Sequence, residues 1–341
     1  MHMADALLTP AVGGTMWVAS AGAIACSSAV LRRERDDRKA PLMGVLGAFL
    51  FAAQMINFTI PGTGSSGHLS GGLLLAILLG PSAAFLTIAS VLVVQAFFFA
   101  DGGLLALGCN IFNLGIIPAF VVFPLVYRTV IGRDPSRARL GVGTMAAALA
   151  TLQLGSLAVV LETASSGISS LPLADFLMLI QPIHLAIGLV EGGVTIAVLS
   201  FVRKARPELL QSGGGVDPSA GRSLVPVLLG FLVCAVVIAG GLSLYASGKP
   251  DGLEWAVAKV SGKAVLPAPE QGVHGALSWL QQKTAWFADY RFKGGKTEIG
   301  APAKLDTGVT GIVGAVLTLL SILCAAFLLR KGSRGAVAPE A

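Results

Sequence analysis

Two histidines stand where they could hold a metal ion. His2 directly follows Met1, and His68 lies in Gly64-Ser65-Ser66-Gly67-His68-Leu69-Ser70-Gly71-Gly72. A free terminal amine, the amide nitrogen of residue 2 and Nδ1 of His2 can close linked five- and six-membered chelate rings. That leaves one corner of a square plane for a second imidazole, and His68 is the candidate. Imidazole suits nickel, copper, zinc and iron, and planar nitrogen coordination points to Ni(II) or Cu(II). The chelate needs an unprocessed amino terminus. A bulky residue at position 2 disfavours removal of Met1, and the first basic residue, Arg32, follows the first apolar run rather than preceding it, so no cleavable signal is expected.

The surroundings of His68 fit a ligand loop. Glycine lets backbone approach another segment closely, and Ser65 and Ser66, with Ser70, could orient the imidazole through hydrogen bonds. The plainer alternatives are a His2 placed by chance after the start and a His68 exposed on a loop; a mobile loop could also gate the site. Asn110 and Asn113, three apart, share a helix face and could line the ion site or bond across helices. Met3 could offer its thioether axially or simply pack. Ionisable residues inside a membrane are functional candidates, which singles out Glu191 as a proton carrier or partner of another helix, and His184 near it. His274 is a weaker candidate.

The elements that must position these residues are membrane helices. The chain has 341 residues, 54% hydrophobic and only 12% charged, with a mean hydropathy of +0.79; this is a membrane-protein composition. Cys26, Cys109, Cys234 and Cys324 all sit in apolar runs and read as small apolar residues. Apolar stretches long enough to span, roughly 17–25 residues, occur near 11–31, 41–60, 82–100, 104–127, 140–162, 176–202, 224–246 and 309–329. A shorter one at 69–80 ends at Gly80-Pro81, a strong breaker, and is expected to span only in part. Counting it gives nine helices. Sixteen of the 24 Lys and Arg then fall on one side, which places the amino terminus outside and the carboxyl tail in the cytoplasm. The net charge of +6 belongs to these loops and does not indicate nucleic acid. The Pro-, Gly- and Ser-containing stretch 206–223 reads as a linker between a seven-helix unit, 1–205, and a two-helix unit, 224–341. The latter carries an outer segment, 247–308, with Pro250-Asp251-Gly252-Leu253-Glu254-Trp255. Small-residue stripes at Ala19, Ala21, Ala23 and Ala25, and at Gly44, Gly47 and Ala48, serve either bundle packing or docking of a membrane partner.

Enzymatic chemistry finds no constellation. GxxxxGK[ST] is absent, so no P-loop hydrolyses ATP here, and there is no Ser/His/Asp set or HExxH. Capture of a metal without a motor implies a motor elsewhere. The alternative is a self-sufficient proton-coupled transporter using Glu191, and a non-transporting scaffold is a third reading.

Met1-His2, the Gly64–His68 segment with Gly71-Gly72, and Gly102-Gly103-Leu104 with Gly108, Asn110 and Phe112 resemble the CbiM/NikM substrate-capture subunits of cobalt and nickel energy-coupling-factor transporters, over about residues 1–205. The Pro250–Trp255 motif resembles the PDGLE component of CbiN/NikN. The resemblance implies an all-α polytopic membrane protein, a seven-helix capture bundle fused to two further helices. It implies ligation of Ni²⁺ or Co²⁺ by the Met1 amine and by His2 and His68. The partners it implies are a transmembrane coupling subunit and two ATPase subunits in a bacterial-type cell membrane, with no resident cofactor. Met3 departs from the Ile usual at that place, and His184 lies outside the family pattern.

Overall fold

The chain is almost wholly helical, and its order follows from where apolar runs meet breakers. The computed structural model describes residues 2–34, 36, 38–132, 136–169, 171–206, 210, 223–263, 266–292 and 304–334. Met1 and most of the expected linker, 207–209 and 211–222, lie outside the described residues. The helices are α1 (Pro10–Glu34), α2 (Lys39–Gln54), α3 (Gly72–Leu79), α4 (Pro81–Phe99) and α5 (Leu107–Ile131). They continue with α6 (Arg137–Ser166), α7 (Leu173–Ala205), α8 (Val225–Gly240), α9 (Gly252–Ser261), α10 (Gly272–Thr284) and α11 (Lys304–Arg334). A two-stranded hairpin, β1 (Phe58–Thr59) with β2 (Ser66–Gly67), sits in the α2–α3 connection.

Seven of the described helices are long and apolar enough to cross a membrane, with α2 a shorter apolar helix of 16 residues. The eight residues of α3 rise only about 12 Å and cannot span alone. Gly80 turns the chain at φ +80° and Pro81 starts α4, the break expected from Gly80-Pro81. In α5 the stretch Phe112–Tyr127 is wound wide, with i→i+5 spacing, and contains Pro118 and Pro124; proline removes the i→i−4 bond at its own position.

The two small-residue stripes have different roles. Gly44 and Gly47 face Leu319 and Ile322 of α11, so the last helix of the C-terminal unit lies in a groove on α2. Ala19, Ala21 and Ala25 of α1 instead point away from the protein. The inward face of α1 is made by Gly13, Ser20 and Ser27. It approaches α5 closely: Ser20 Oγ donates to the Gly108 carbonyl at 2.7 Å and Trp17 Nε1 to the Leu104 carbonyl at 2.9 Å.

At Gly108 a Cβ would lie 2.5 Å from the Trp17 backbone nitrogen and 2.8 Å from the Met16 carbonyl carbon. Backbone cannot give way as a side chain can, so Gly108→Ala is expected to separate α1 from α5 and cost about 1–3 kcal/mol. Thermal unfolding of the purified variant in detergent checks this.

Candidate metal site

The site forms where three segments meet at one end of the bundle: the amino terminus, the α4–α5 loop and the hairpin loop after α2. Residues 2–4 run beside the α4–α5 loop. Asn110, near the start of α5, accepts a hydrogen bond from the Met3 amide at 2.8 Å and donates to the Met3 carbonyl at 3.4 Å. The Gly103 amide also donates to that carbonyl at 2.9 Å, and Asp5 accepts from the Ala106 amide at 2.9 Å. Gly102 sits at φ +82°, and a Cβ there would meet Asn110 Nδ2 and, at 3.4 Å, the Cβ of His2. Non-glycine residues rarely adopt that backbone conformation, so the glycine pair is what lets the amino terminus lie this close. Met3 is fully buried, with its sulfur 3.9 Å from Asn113 Nδ2. Asn113 also donates to Glu162 at 2.9 Å.

The His68 loop is fixed from below. Glu191 of α7 accepts from the Ser70 amide at 2.7 Å, the Ser70 hydroxyl at 2.7 Å and the Gly71 amide at 3.0 Å. A carboxylate at the first turn of α3 is favourably placed against the helix dipole. Gln54 of α2 donates to the Ser70 carbonyl at 2.9 Å and is itself held by Gln95 of α4 at 2.8 Å. His68 Nδ1 lies 3.1 Å from the Leu69 carbonyl, which assigns the proton to Nδ1 and the lone pair to Nε2. Burial pushes the His68 imidazole down to about 3, so it is neutral at physiological pH.

His2 and His68 stack, with ring centroids 5.1 Å apart and planes 10° from parallel. His2 Nδ1 lies 3.1 Å from Asp101 Oδ1, while Nε2 is buried without a partner. The two imidazoles are thus brought together while His2 Nδ1 is engaged by Asp101. Asp101 Oδ2 accepts from the Tyr290 hydroxyl at 2.6 Å. Burial works to raise the Asp101 carboxyl, but His2 and the two hydrogen bonds outweigh it and hold it below the usual carboxylate range. Burial, then the charge of Asp101, push the Tyr290 phenol well above its ordinary value, keeping it a donor.

The C-terminal unit closes over all three segments. Ser66 pairs by its amide with the Pro250 carbonyl at 2.8 Å, and its hydroxyl donates to the carbonyls of Lys249 and Pro250. His274 Nε2 bonds the Leu8 carbonyl at 2.8 Å. Gln281 donates to the carbonyls of Gly102 at 2.8 Å and Ala96 at 2.9 Å. Asp251 caps α9 in a reciprocal box with Glu254. Burial opposes ionisation of Asp251, yet its surroundings, the hydrogen bond from the Glu254 amide among them, draw it below the usual carboxylate range. Between the units lies a cavity of about 840 Å³ lined by His2, His68, Asp101, Asp251, Glu254 and Tyr290, among others.

Of the expected site residues, the structure gathers His2, His68 and Asn110, the last acting on the backbone of residue 3. Ser65 bonds Thr63 at 2.7 Å and Ser66 bonds the C-terminal unit; neither hydroxyl is directed at an imidazole. Met1 lies outside the described residues. His184 bonds the Ile180 carbonyl at 2.8 Å and does not line the cavity. Asp101, Asp251 and Tyr290 were not singled out by sequence. Asp101 is adjacent to the Gly102-Gly103 pair, and Asp251 lies inside the Pro250–Trp255 motif, so both were within reach; nothing local marks Tyr290. Among the described residues no three His, Cys, Asp or Glu side chains gather to hold an ion.

Residues 2–209 match the CbiM family, described as the cobalt uptake substrate-specific transmembrane region, and residues 225–331 match the PDGLE domain. The chain is 28% identical to the fused nickel transport protein NikMN of Rhodobacter capsulatus, over 98% of each chain. It is 30% identical to the cobalt transport protein CbiM of Geobacter sulfurreducens, over 77% of this chain and 78% of that one. A crystal structure of a transition metal transporter superposes with a TM-score of 0.53 at 27% identity, covering 62% of this chain and 97% of that one.

Two outcomes follow from the site. Asn110→Ala leaves the buried Met3 amide without its acceptor and is expected to cost about 1–3 kcal/mol together with a loss of nickel affinity, read by thermal unfolding and metal titration. Because His68 protonates only near pH 3, its titration leaves metal binding unchanged as pH falls from neutrality until that value is approached. Following the His68 ring by NMR in the metal-free, native-terminus protein as pH falls checks this, since the ring should stay neutral down to about pH 4.

Proposed function

Since the chain belongs to the CbiM family of cobalt uptake proteins, we propose that it is the capture subunit of an energy-coupling-factor importer. It takes Ni²⁺ or Co²⁺ at the outer face and delivers it inward with ATP hydrolysed by separate subunits. The chain is a nickel or cobalt transport component and a multi-pass helical membrane protein. The finer reading is carried by one observation: His2 and His68, 66 residues apart in sequence, stack at 5.1 Å beneath a lid formed by the PDGLE unit.

The ligands are the Met1 amine, the amide nitrogen of residue 2, His2 Nδ1 and His68 Nε2. Four nitrogens in a plane favour low-spin Ni(II). The His68 tautomer supports this assignment, since its Nδ1 is engaged by the Leu69 carbonyl. Binding displaces the amide proton of residue 2, so affinity weakens as pH falls. Helices alternate in direction, so the Lys- and Arg-bearing helix ends lie opposite the end carrying His2, which supports an outer amino terminus and a cytoplasmic tail. The outward Ala19–Ala25 face of α1 is the surface offered to a transmembrane coupling subunit, beside which two ATPases act. A proton-carrying role for Glu191 has less support, because both its oxygens accept bonds from the His68 loop.

His2→Ala and His68→Ala are each expected to abolish high-affinity nickel binding by the purified protein with its native terminus. A tag placed before Met1 is expected to do the same. Binding by His2→Ala or by the tagged protein at the unmodified affinity would contradict the chelate.

A further inference from the structure

The chelate uses none of the carboxylates that line the site, and one of them, Asp101, touches the residue that the chelate needs most. Asp101 Oδ1 lies 3.1 Å from His2 Nδ1, the ring nitrogen required for the six-membered chelate ring, while Nε2 is buried and unpartnered. As it stands, the ring is turned the wrong way for an ion. The other oxygen of Asp101 is occupied by the Tyr290 hydroxyl at 2.6 Å, so the carboxylate is fixed by the C-terminal unit.

Tyr290 is itself held on several sides. Its carbonyl accepts from Thr310 of α11 at 2.8 Å, and its ring packs on Phe99 at 5.0 Å and Phe51 at 6.2 Å. Asp289 and Tyr290 lie at φ +52° and +58°, a region that non-glycine residues enter rarely. A backbone turned this way to aim one hydroxyl is over-determined by its surroundings.

We propose that Asp101 is the positioning carboxylate for His2, with Tyr290 as its anchor. Asp101 holds Nδ1 while the site is unloaded and accepts a hydrogen bond from the Nε2–H group, which keeps its proton, once the ring has turned to give Nδ1 to the ion. This rests on the chelate proposed above. Ligation requires Nδ1 to carry no proton and Nε2 to carry one. The proton that Nδ1 donates to Asp101 therefore leaves it, to solvent or to Nε2. A metal-bound histidine usually donates its other N–H to a carboxylate or carbonyl, which fixes the tautomer and the ring. Asp101 is the carboxylate placed to do so, and the C-terminal unit acts on the metal through it without supplying a ligand.

The test uses the purified full chain with its native terminus and nickel alone, with affinity read by competition against a chromophoric chelator. Asp101→Asn is expected to weaken binding about 10–100-fold, and Asp101→Glu, which keeps the carboxylate, to recover part of that loss. Tyr290→Phe is expected to weaken binding by less. The Asp101→Asn/Tyr290→Phe double variant should fall within about twofold of Asp101→Asn alone, because both act through one group. In the unaltered protein with ¹⁵N-labelled histidine, loading should move the carboxylate-bonded position of the His2 ring from Nδ1 to Nε2. That reading does not depend on any variant folding. Asp101→Asn binding as the unaltered protein does while His2→Ala has lost binding would overturn the positioning role and leave the chelate intact. A ¹⁵N spectrum with Nε2 free of a carboxylate after loading would overturn it too. His2→Ala binding normally would remove both.

Discussion

An ion held by the first residues of a chain is only as well placed as the backbone immediately behind them. Here that backbone is fixed at residue 3, where Asn110 takes both the amide and the carbonyl of Met3 and Gly103 adds a second bond to the carbonyl. The anchor spends the polar groups of residue 3 and Asp5 and none of the nitrogens the proposed chelate would use. It also removes the freedom of a chain terminus, whose ordering otherwise costs about 1–2 kcal/mol per residue. The position of Asn110 depends in turn on α5, and that of α5 on the close seat of α1 at Gly108.

The second half of the site comes from the far end of the chain. The PDGLE unit meets the amino-terminal segment through His274, the α4–α5 loop through Gln281 and Tyr290, and the His68 loop through Pro250. Each of these bonds joins residues more than 170 positions apart, so the cavity closes only when both units are in register. Its Asp101 carboxylate is stabilised in the charged form although burial opposes this, because the His2 imidazole and the Tyr290 hydroxyl face it. A buried carboxylate compensated in this way is a candidate for a functional group.

Much of this was legible in the sequence. The apolar helices, the break at Gly80-Pro81 and the closeness of His2 to His68 all rest on local signals: length of apolar runs, a Gly-Pro step, and donor atoms in a Gly/Ser loop. What was not legible rests on contacts between distant segments. Ser66 reads as a partner of its neighbour His68, but its hydroxyl is drawn to the Pro250 turn 184 residues away. Glu191 reads as a lone charge in a membrane helix, and the acceptor sites it offers are filled by Ser70 and Gly71. Tyr290 carries no local signal, since its importance arises only from where the outer segment lands. The two small-residue stripes look alike in sequence; the packing of α11 on Gly44 and Gly47 separates them.

In the proposed chelate the amino-terminal residues supply most of the donors to the ion. X-ray absorption at the nickel edge of the loaded, native-terminus protein tests it most directly. The account predicts a four-coordinate planar nickel with nitrogen donors only, two of them imidazoles. A six-coordinate nickel surrounded mainly by oxygen would contradict it.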